Sequence, residues 1–337
     1  MIRKSGGIET ARENHSPAIR IGIDENGLGP RLGPLIVTSV VARVEGGGHK
    51  RVQSRPRGSL ARRLGDSKRL VSYGDSALGE AWARAIIRRS GAVGPDGPDG
   101  PDSPEGLVRR LSLDDAQTLR APCPEGHMDQ CWGLDGEAFA AEGTLVSTVE
   151  RDLAKLDEQG IVVLRACCIV ACVRRLNDAV ARGLTRFHAD LHAMERLALD
   201  ARERAGVDVI ATCGKVGGFD RYPPAFGPMN GRLHAVAEEG RARSEYSVPG
   251  LGTISFVRDA EDKHLLVSMA SLIGKWVRDL LMARIVRYHR AHAPDLPDAS
   301  GYHDPVTTRF VEATRLARKR RGLPDDCFER RAWGNSE

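Results

Sequence analysis

The chain has 337 residues, of which 41% are apolar and 28% charged, and its formal net charge is +5. This length allows one elaborated domain or two, and the composition is ordinary for a globular protein. No apolar run approaches the roughly 18 residues of a membrane-spanning helix, and residues 1–17 lack the apolar stretch of a signal peptide. We therefore predict a cytoplasmic protein that does not bind membranes.

The seven cysteines are odd in number, and two of them are adjacent in an apolar stretch, which favours free thiols in a reducing compartment. Cys123, His127 and Cys131 offer three zinc ligands, but a structural zinc site needs four and no partner pair follows them in sequence. We therefore do not predict a zinc site.

Alternating apolar runs predict strands and helices in turn. We expect a disordered tail over residues 1–18, and irregular structure over the Pro- and Gly-rich residues 94–106 because proline removes hydrogen-bond donors. The strands are predicted at residues 18–23, 35–44, 161–173, 207–212 and 252–257. The helices are predicted at residues 73–90, 176–205 and 265–288.

This order of elements predicts an α/β fold with a central mixed sheet flanked by helices and a helical C-terminal part. We expect one domain over residues 19–333, interrupted by an insertion around residues 92–145.

Two short segments concentrate positive charge. Residues 49–63 are rich in Lys and Arg without an acid, and residues 315–321 (RLARKRR) are denser still. Such clusters suit a polyanion because each neutralised phosphate releases counterions. For any single cluster, a solvated helix face is the better explanation, so the clusters indicate nucleic acid only alongside a more specific signal.

The most informative segment is IGIDENGLGPRLGP, residues 21–34. Asp24 and Glu25 end an apolar strand and are followed by a Gly-rich loop. Buried carboxylates without a cation are costly, so this pair indicates a cation site. The alternative for an isolated Asp-Glu pair is an acidic turn cap.

This segment resembles the signature of ribonuclease HII, an apolar strand that runs into D-E-A-G-R-G-P. Three further motifs that resemble the family follow in the same order. They are GDSKRL (residues 65–70), AEDKHLLVSMASLIGKWVRDLLM (residues 260–282) and SGYHDPVT (residues 300–307). The resemblance therefore indicates a divergent type 2 ribonuclease H, of the HII or HIII group, with the ribonuclease H-like fold.

The resemblance implies a two-metal-ion endonuclease that cuts the RNA strand of RNA–DNA hybrids or ribonucleotides in DNA. It assigns Mg²⁺ or Mn²⁺ to the carboxylates of Asp24, Glu25 and Glu261, with Asp262 beside them. Hard cations of this kind prefer oxygen ligands. We expect a monomer whose partner is the nucleic acid.

The same resemblance implies the substrate-binding residues. Backbone groups of Gly27, Leu28 and Gly29 would recognise the 2′-hydroxyl that distinguishes RNA from DNA. Tyr302 would stack at the RNA–DNA junction, with a core-capping tyrosine as the alternative. The cations predicted to hold phosphates are Lys68, Lys275 and Arg278, although the last two also fit the polar face of an amphipathic helix.

The chain departs from the family at two important positions. Gly214 stands where the family has its third carboxylate, and Leu28 replaces an arginine. Asp220 is the predicted substitute for the missing carboxylate. A catalytically impaired nucleic-acid-binding protein of the same fold is the main alternative, and a small-molecule enzyme on this fold is a second.

Overall fold

The structure is a computed structural model that describes residues 16–90, 101–123 and 129–331. Of the predicted tail, residues 1–15 lie outside these ranges, as do His127 and residues 94–100 of the Pro- and Gly-rich segment. The described strands are β1 (Ala18–Asn26), β2 (Leu35–Val44), β3 (Ile161–Ala171), β4 (Val209–Gly214), β5 (Ala235–Glu239), β6 (Arg243–Val248) and β7 (Gly252–Val257).

The described α-helices cover both faces of the sheet. They are α1 (Gly48–Val52), α2 (Ser67–Leu70), α3 (Ala77–Arg89), α4 (Pro104–Leu111), α5 (Ala116–Arg120), α6 (Asp129–Trp132), α7 (Gly143–Glu158), α8 (Val173–Ala181), α9 (Arg186–Ala205), α10 (Ala260–Lys263), α11 (Leu265–Arg290) and α12 (Pro305–Arg320). None of the helices in the described ranges is both long and apolar enough to span a membrane.

The seven strands form one mixed sheet in the order β3-β2-β1-β4-β7-β6-β5. β1 runs antiparallel to β2 and parallel to β4, which in turn runs parallel to β7. The predicted central mixed sheet with flanking helices is confirmed. Because β1, β4 and β7 are parallel neighbours, their carboxyl ends meet at one edge of the sheet, where ligands bind in open α/β sheets.

Side-chain alternation along β1 separates the two faces of the sheet. Ile21 and Ile23 pack against α9 in one hydrophobic cluster, while Leu266 of α11 belongs to a second cluster on the opposite face. Gly22 faces α11 so closely that a Cβ atom there would lie 2.3 Å from the backbone of Leu266. The glycine therefore sets the approach of α11 to the strand that carries Asp24.

Several predicted elements have different bounds in the structure. The helix predicted at residues 176–205 is two helices, because Gly183 adopts a positive φ of 80° and Thr185 caps α9. Irregular structure was predicted through Gly106, and this is wrong from residue 104 onwards. There Ser103 caps α4 and Pro104 occupies its first turn, where proline is tolerated.

The described part of the insertion is packed onto the core rather than projecting from it. Leu107, Val108 and Leu111 of α4 are buried in the cluster that contains α11. Arg284 of α11, which is 1% exposed, forms ion pairs with Glu105 and Glu137 of the insertion. These pairs are enclosed, so they hold the segment in one register on α11.

Candidate active site

A cleft of about 390 Å³ opens at the carboxyl ends of β1, β4 and β7. Most of the predicted site residues line it, although they come from four distant segments. Those lining the cleft are Asp24, Glu25, Gly27, Leu28, Gly29, Lys68, Glu261, Lys275, Arg278 and Tyr302. The fold thus gathers the four sequence motifs into one site.

Asp24 and Glu25 lie in the wall of this cleft, where Asp24 is only 8% exposed. Burial, followed by the charges of Glu261 and Glu25, raises the pKa of Asp24 well above its ordinary value. Burial also raises the pKa of Glu25 to about 7, against the opposing effect of Lys68. A bound cation would favour the charged forms of these two carboxylates, which burial disfavours.

Glu261 joins them from α10 and is held by Ser271 of the same motif and by the GDSKRL motif. The Ser271 hydroxyl on α11 lies 3.1 Å from Glu261 Oε2 and 3.0 Å from the Ser67 hydroxyl. Lys68 Nζ lies 3.6 Å from Glu261 Oε1. Burial raises the pKa of Glu261, with Lys68 opposing the shift. GDSKRL therefore acts here by positioning a carboxylate, which its sequence alone did not indicate.

Asn26 takes the place of the usual alanine, and the structure accommodates it. Its side-chain amide donates to the Ser271 carbonyl oxygen at 3.2 Å. A Cβ atom at Gly274 would lie 2.7 Å from that amide nitrogen. Gly274 on the facing helix therefore leaves the space that the Asn26 side chain occupies.

Arg330, a buried arginine that the sequence did not predict as a site residue, holds the loop over residues 27–33. Arg330 donates to the carbonyl oxygens of Gly27 at 2.6 Å and of Gly33 at 2.9 and 2.7 Å. Gly27 has a φ of 93°, and a Cβ atom there would lie 2.7 Å from Arg278 Nε. Only glycine fits this approach.

Replacing Arg330 is expected to loosen this loop. Arg330→Met should lower the free energy of unfolding by about 2 kcal/mol, because carbonyl groups lose a charged hydrogen-bond donor inside the protein. Urea denaturation measures the change. Arg331→Met is the matched control, since Arg331 pairs with Asp326 at the surface, where such pairs contribute little. Equal effects of the two substitutions would contradict the assigned role.

Tyr302 and Arg278 form one unit on the far side of the cleft. The Arg278 guanidinium lies 4.6 Å from the centre of the Tyr302 ring and donates to the Ser300 carbonyl oxygen at 2.9 Å. Arg278 is 2% exposed, so it does not lie on a solvated helix face. The Tyr302 ring is 47% exposed, so it does not cap the core and is available for stacking.

Asp220 and Asp262, also predicted as site residues, do not line the cleft. Asp220 Oδ1 accepts from Lys215 Nζ at 2.8 Å. Asp262 Oδ2 lies 3.9 Å from Arg55 Nη2. The structure does not bring Asp220 to the position that Gly214 leaves without a carboxylate, because the Lys215 amine engages it beside the cleft.

Gly214 itself lies where the family resemblance put the third carboxylate. A Cβ atom at this position would stand 2.8 Å from Asp24 Oδ1. A side chain here would therefore project to the carboxylate of Asp24. Position 214 therefore lies beside Asp24, as the resemblance predicts for a third carboxylate, but a glycine there supplies none.

Other cleft residues gave no usable sequence signal. Asp259, Arg258, Lys215 and Asp279 also line the site. Asp259 has a φ of 55°, and among the described residues it alone combines a side chain with positive φ. An aspartate at a helix start is common in sequences, so neither its conformation nor its place in the cleft could be predicted.

The donors present suit a hard divalent cation. Asp24, Glu25, Glu261 and Ser271 supply only oxygen atoms, which Mg²⁺ and Mn²⁺ prefer. Across residues 16–90, 101–123 and 129–331, no three His, Cys, Asp or Glu side chains already surround one point. The carboxylates share the cleft, and a cation would have to draw them together.

The raised pKa of Glu25 predicts how stability depends on pH without metal. Its ordinary value is 4.5, and the folded value is about 7. Between these values the folded protein keeps a proton that the unfolded chain has released. The free energy of unfolding should therefore fall as the pH rises through this window. Thermal unfolding in EDTA at about pH 5 and about pH 8 measures it, and Glu25→Gln should flatten the dependence. An unchanged slope would contradict the assignment.

The search of protein-family models finds no match, and no curated protein matches. The structure search does find similar solved structures. Ribonuclease HII from Archaeoglobus fulgidus, solved with PCNA, has 14% identity and a TM-score of 0.40 over 95% of this chain and 96% of its own. Bst ribonuclease HIII with Mn²⁺ has 12% identity and a TM-score of 0.44 over 96% and 69%.

Ribonuclease H2 from Pyrococcus horikoshii has 14% identity and a TM-score of 0.37 over 92% of both chains. At identities of 12–14% these likenesses concern the fold alone.

Proposed function

We propose that this protein is a divalent-cation-dependent endonuclease that hydrolyses the RNA strand of RNA–DNA hybrids, or ribonucleotides in DNA. The observation that carries the proposal is the convergence of Asp24, Glu25 and Glu261 in one cleft that also contains the exposed ring of Tyr302. The chemistry of the carboxylates fits Mg²⁺ or Mn²⁺, and the ring fits a nucleic-acid base.

Asp24, Glu25 and Glu261 would hold the cations. When bound, two such ions activate a water molecule and stabilise the leaving oxygen of a phosphodiester. The net reaction adds water to phosphorus and breaks the bond to the leaving oxygen, which takes a proton. Ser271 and Lys68 keep Glu261 in place for this reaction by their contacts with its two oxygens.

The remaining residues of the cleft would bind and orient the substrate. Lys68 is 81% exposed at its side chain, and together with Lys275 it offers positive charge for backbone phosphates. The Gly27–Gly29 turn, held by Arg330, would present its backbone to the 2′-hydroxyl. Arg278 would act on Tyr302, because the guanidinium supports the ring from behind.

A protein that binds the same nucleic acids without turnover is the second candidate. Gly214 favours it, since a missing carboxylate weakens a two-ion site. We further propose that the protein works as a monomer in the cytoplasm. The seven free cysteines support a reducing compartment.

Three labelled duplexes test the proposal: DNA with one ribonucleotide, a continuous RNA–DNA hybrid, and DNA alone. The expected result with Mg²⁺ or Mn²⁺ is cleavage of at least one ribonucleotide-containing duplex and none of the DNA. Binding of all three without cleavage would favour the second candidate. Tyr302→Ala should weaken the preference for the duplex with one ribonucleotide, whereas the exposed Leu316→Ala on α12 should not.

A further inference from the structure

Asp190, in the second turn of α9, is a buried carboxyl group without a described partner. Its side chain is 0% exposed, and neither oxygen has a hydrogen-bond partner among the described residues. A buried polar group left unsatisfied costs roughly 1–3 kcal/mol, and more if it is charged. An aspartate in this position therefore needs an explanation that packing alone does not give.

The helix face that carries Asp190 is turned towards the sheet beneath the cleft. Phe187 and Met194, three residues before and four after it, pack with Ile23 and Cys213 in the cluster below β1 and β4. One turn earlier, Arg186 donates to the carbonyl oxygens of Leu28 and Gly29 at 3.3 and 3.1 Å. Asp190 is therefore close to the turn that follows Glu25.

Asp190 lies on the side of the sheet to which the Glu25 side chain points. After burial, the charges that raise the pKa of Asp190 are those of Glu25 and then Asp24. Side-chain alternation puts Glu25 on the same face of β1 as Ile21 and Ile23, which is the face that α9 covers. Glu25 of β1 and Asp190 of α9 thus lie on the same side of the sheet.

We propose that Asp190 supplies the carboxylate that Gly214 lacks and ligates a divalent cation together with Glu25. This inference rests on the proposed function, because it names a ligand of the same site. Gly214 removes a ligand on the α11 side of the sheet, and Asp190 adds one from the α9 side. A cation would satisfy the two unpartnered oxygens and the excess negative charge together.

Cation binding would require movement, since the described side chains do not already surround one point. Asp190 and Glu25 would close on the ion from the face of β1 that α9 covers. The predicted substitute Asp220 is not needed in this arrangement, because Lys215 engages it elsewhere.

The test measures Mn²⁺ binding by calorimetry together with thermal unfolding in EDTA. The variants are Asp190→Asn and, because its surroundings are apolar, Asp190→Leu. Asp200→Asn is the matched control on the same helix, where Asp200 forms ion pairs with Arg165 and Arg204. The expected result is that both Asp190 variants bind Mn²⁺ at least about 10-fold more weakly. Their melting temperatures in EDTA should be no lower than that of the wild type, because neither substitution removes a hydrogen bond of the Asp190 oxygens.

The outcomes separate this inference from the proposed function. If the wild type and both Asp190 variants bind Mn²⁺ equally, Asp190 is not a ligand and the proposed function stands. If the wild type binds no Mn²⁺, both fail. If the variants unfold in EDTA at a much lower temperature but keep their Mn²⁺ affinity when folded, Asp190 is structural. Restored Mn²⁺ binding in the double variant Gly214→Asp, Asp190→Asn would support the exchange directly.

Discussion

Glu25→Gln should abolish divalent-cation-dependent cleavage while leaving duplex binding nearly unchanged. The substitution keeps the size of the side chain but removes the charge of a group that lines the cleft beside Asp24. A neutral amide is a poor ligand for a hard cation, so we expect a loss of at least about 100-fold in the cleavage rate. Single-turnover cleavage and fluorescence anisotropy measure the two quantities separately.

Glu312→Gln is the matched control, since Glu312 lies exposed on α12 away from the cleft. It should cleave at the wild-type rate. If the wild type cleaves the duplex and Glu25→Gln cleaves it at the same rate, the proposed site is refuted. Loss of cleavage and of binding together would instead indicate damage to the turn at residues 27–29, which a melting curve would reveal.

Gly22→Ala should be among the most destabilising single-methyl substitutions in the chain. A Cβ atom at Gly22 would lie 2.3 Å from the Leu266 carbonyl carbon and the Val267 nitrogen, which are backbone atoms that cannot rotate away. Strand β1 and helix α11 would have to separate. We expect the free energy of unfolding to fall by about 3 kcal/mol or more, as measured by urea denaturation.

The effect should extend to the cleft, because β1 carries Asp24 and α11 carries Ser271. Gly143→Ala is the control, since that glycine begins α7 with ordinary φ and nothing within 4 Å of the added Cβ atom. A cost at Gly22 no larger than at Gly143 would mean that β1 and α11 do not pack as closely as described.

Much of the site could be predicted because its residues stand in contiguous motifs. Asp24 and Glu25 end a strand whose apolar run is visible, and Glu261 precedes the long helical pattern predicted at residues 265–288. Their convergence follows from parallel strands that end at one edge. The fold class followed from the same alternation of strands and helices.

The residues that were missed act across long sequence distances or through conformation. Arg330 donates to the carbonyl oxygens of Gly27 and Gly33, which are 303 and 297 residues away in sequence. Nothing in its local sequence indicates this role. Asp190 lies within an apolar helical pattern, where a single aspartate suggests a solvated position. The β5–β6 hairpin was missed because its outer strand is exposed over most of its length, so its sequence shows no alternation of buried and exposed residues.

The break between α8 and α9 shows the limit of periodicity as a signal. The apolar spacing continues across residues 182–185, so one long helix was predicted. The chain breaks there because Gly183 takes a left-handed conformation and Thr185 bonds the His188 backbone. The cap at Thr185 thus outweighs the apolar periodicity and decides where α9 begins. The position of Asp190 in the second turn of α9 follows from that start.

The most direct test is cleavage of a labelled DNA duplex that contains one ribonucleotide, by the wild type and by Asp24→Asn, with Mg²⁺ and then with Mn²⁺. We expect the wild type to cleave at the ribonucleotide and the Asp24→Asn variant to cleave almost none of the duplex. A wild type that binds this duplex and a continuous hybrid but cuts neither would contradict it. Gly214 would then mark a protein that has kept the fold of a nuclease without its turnover.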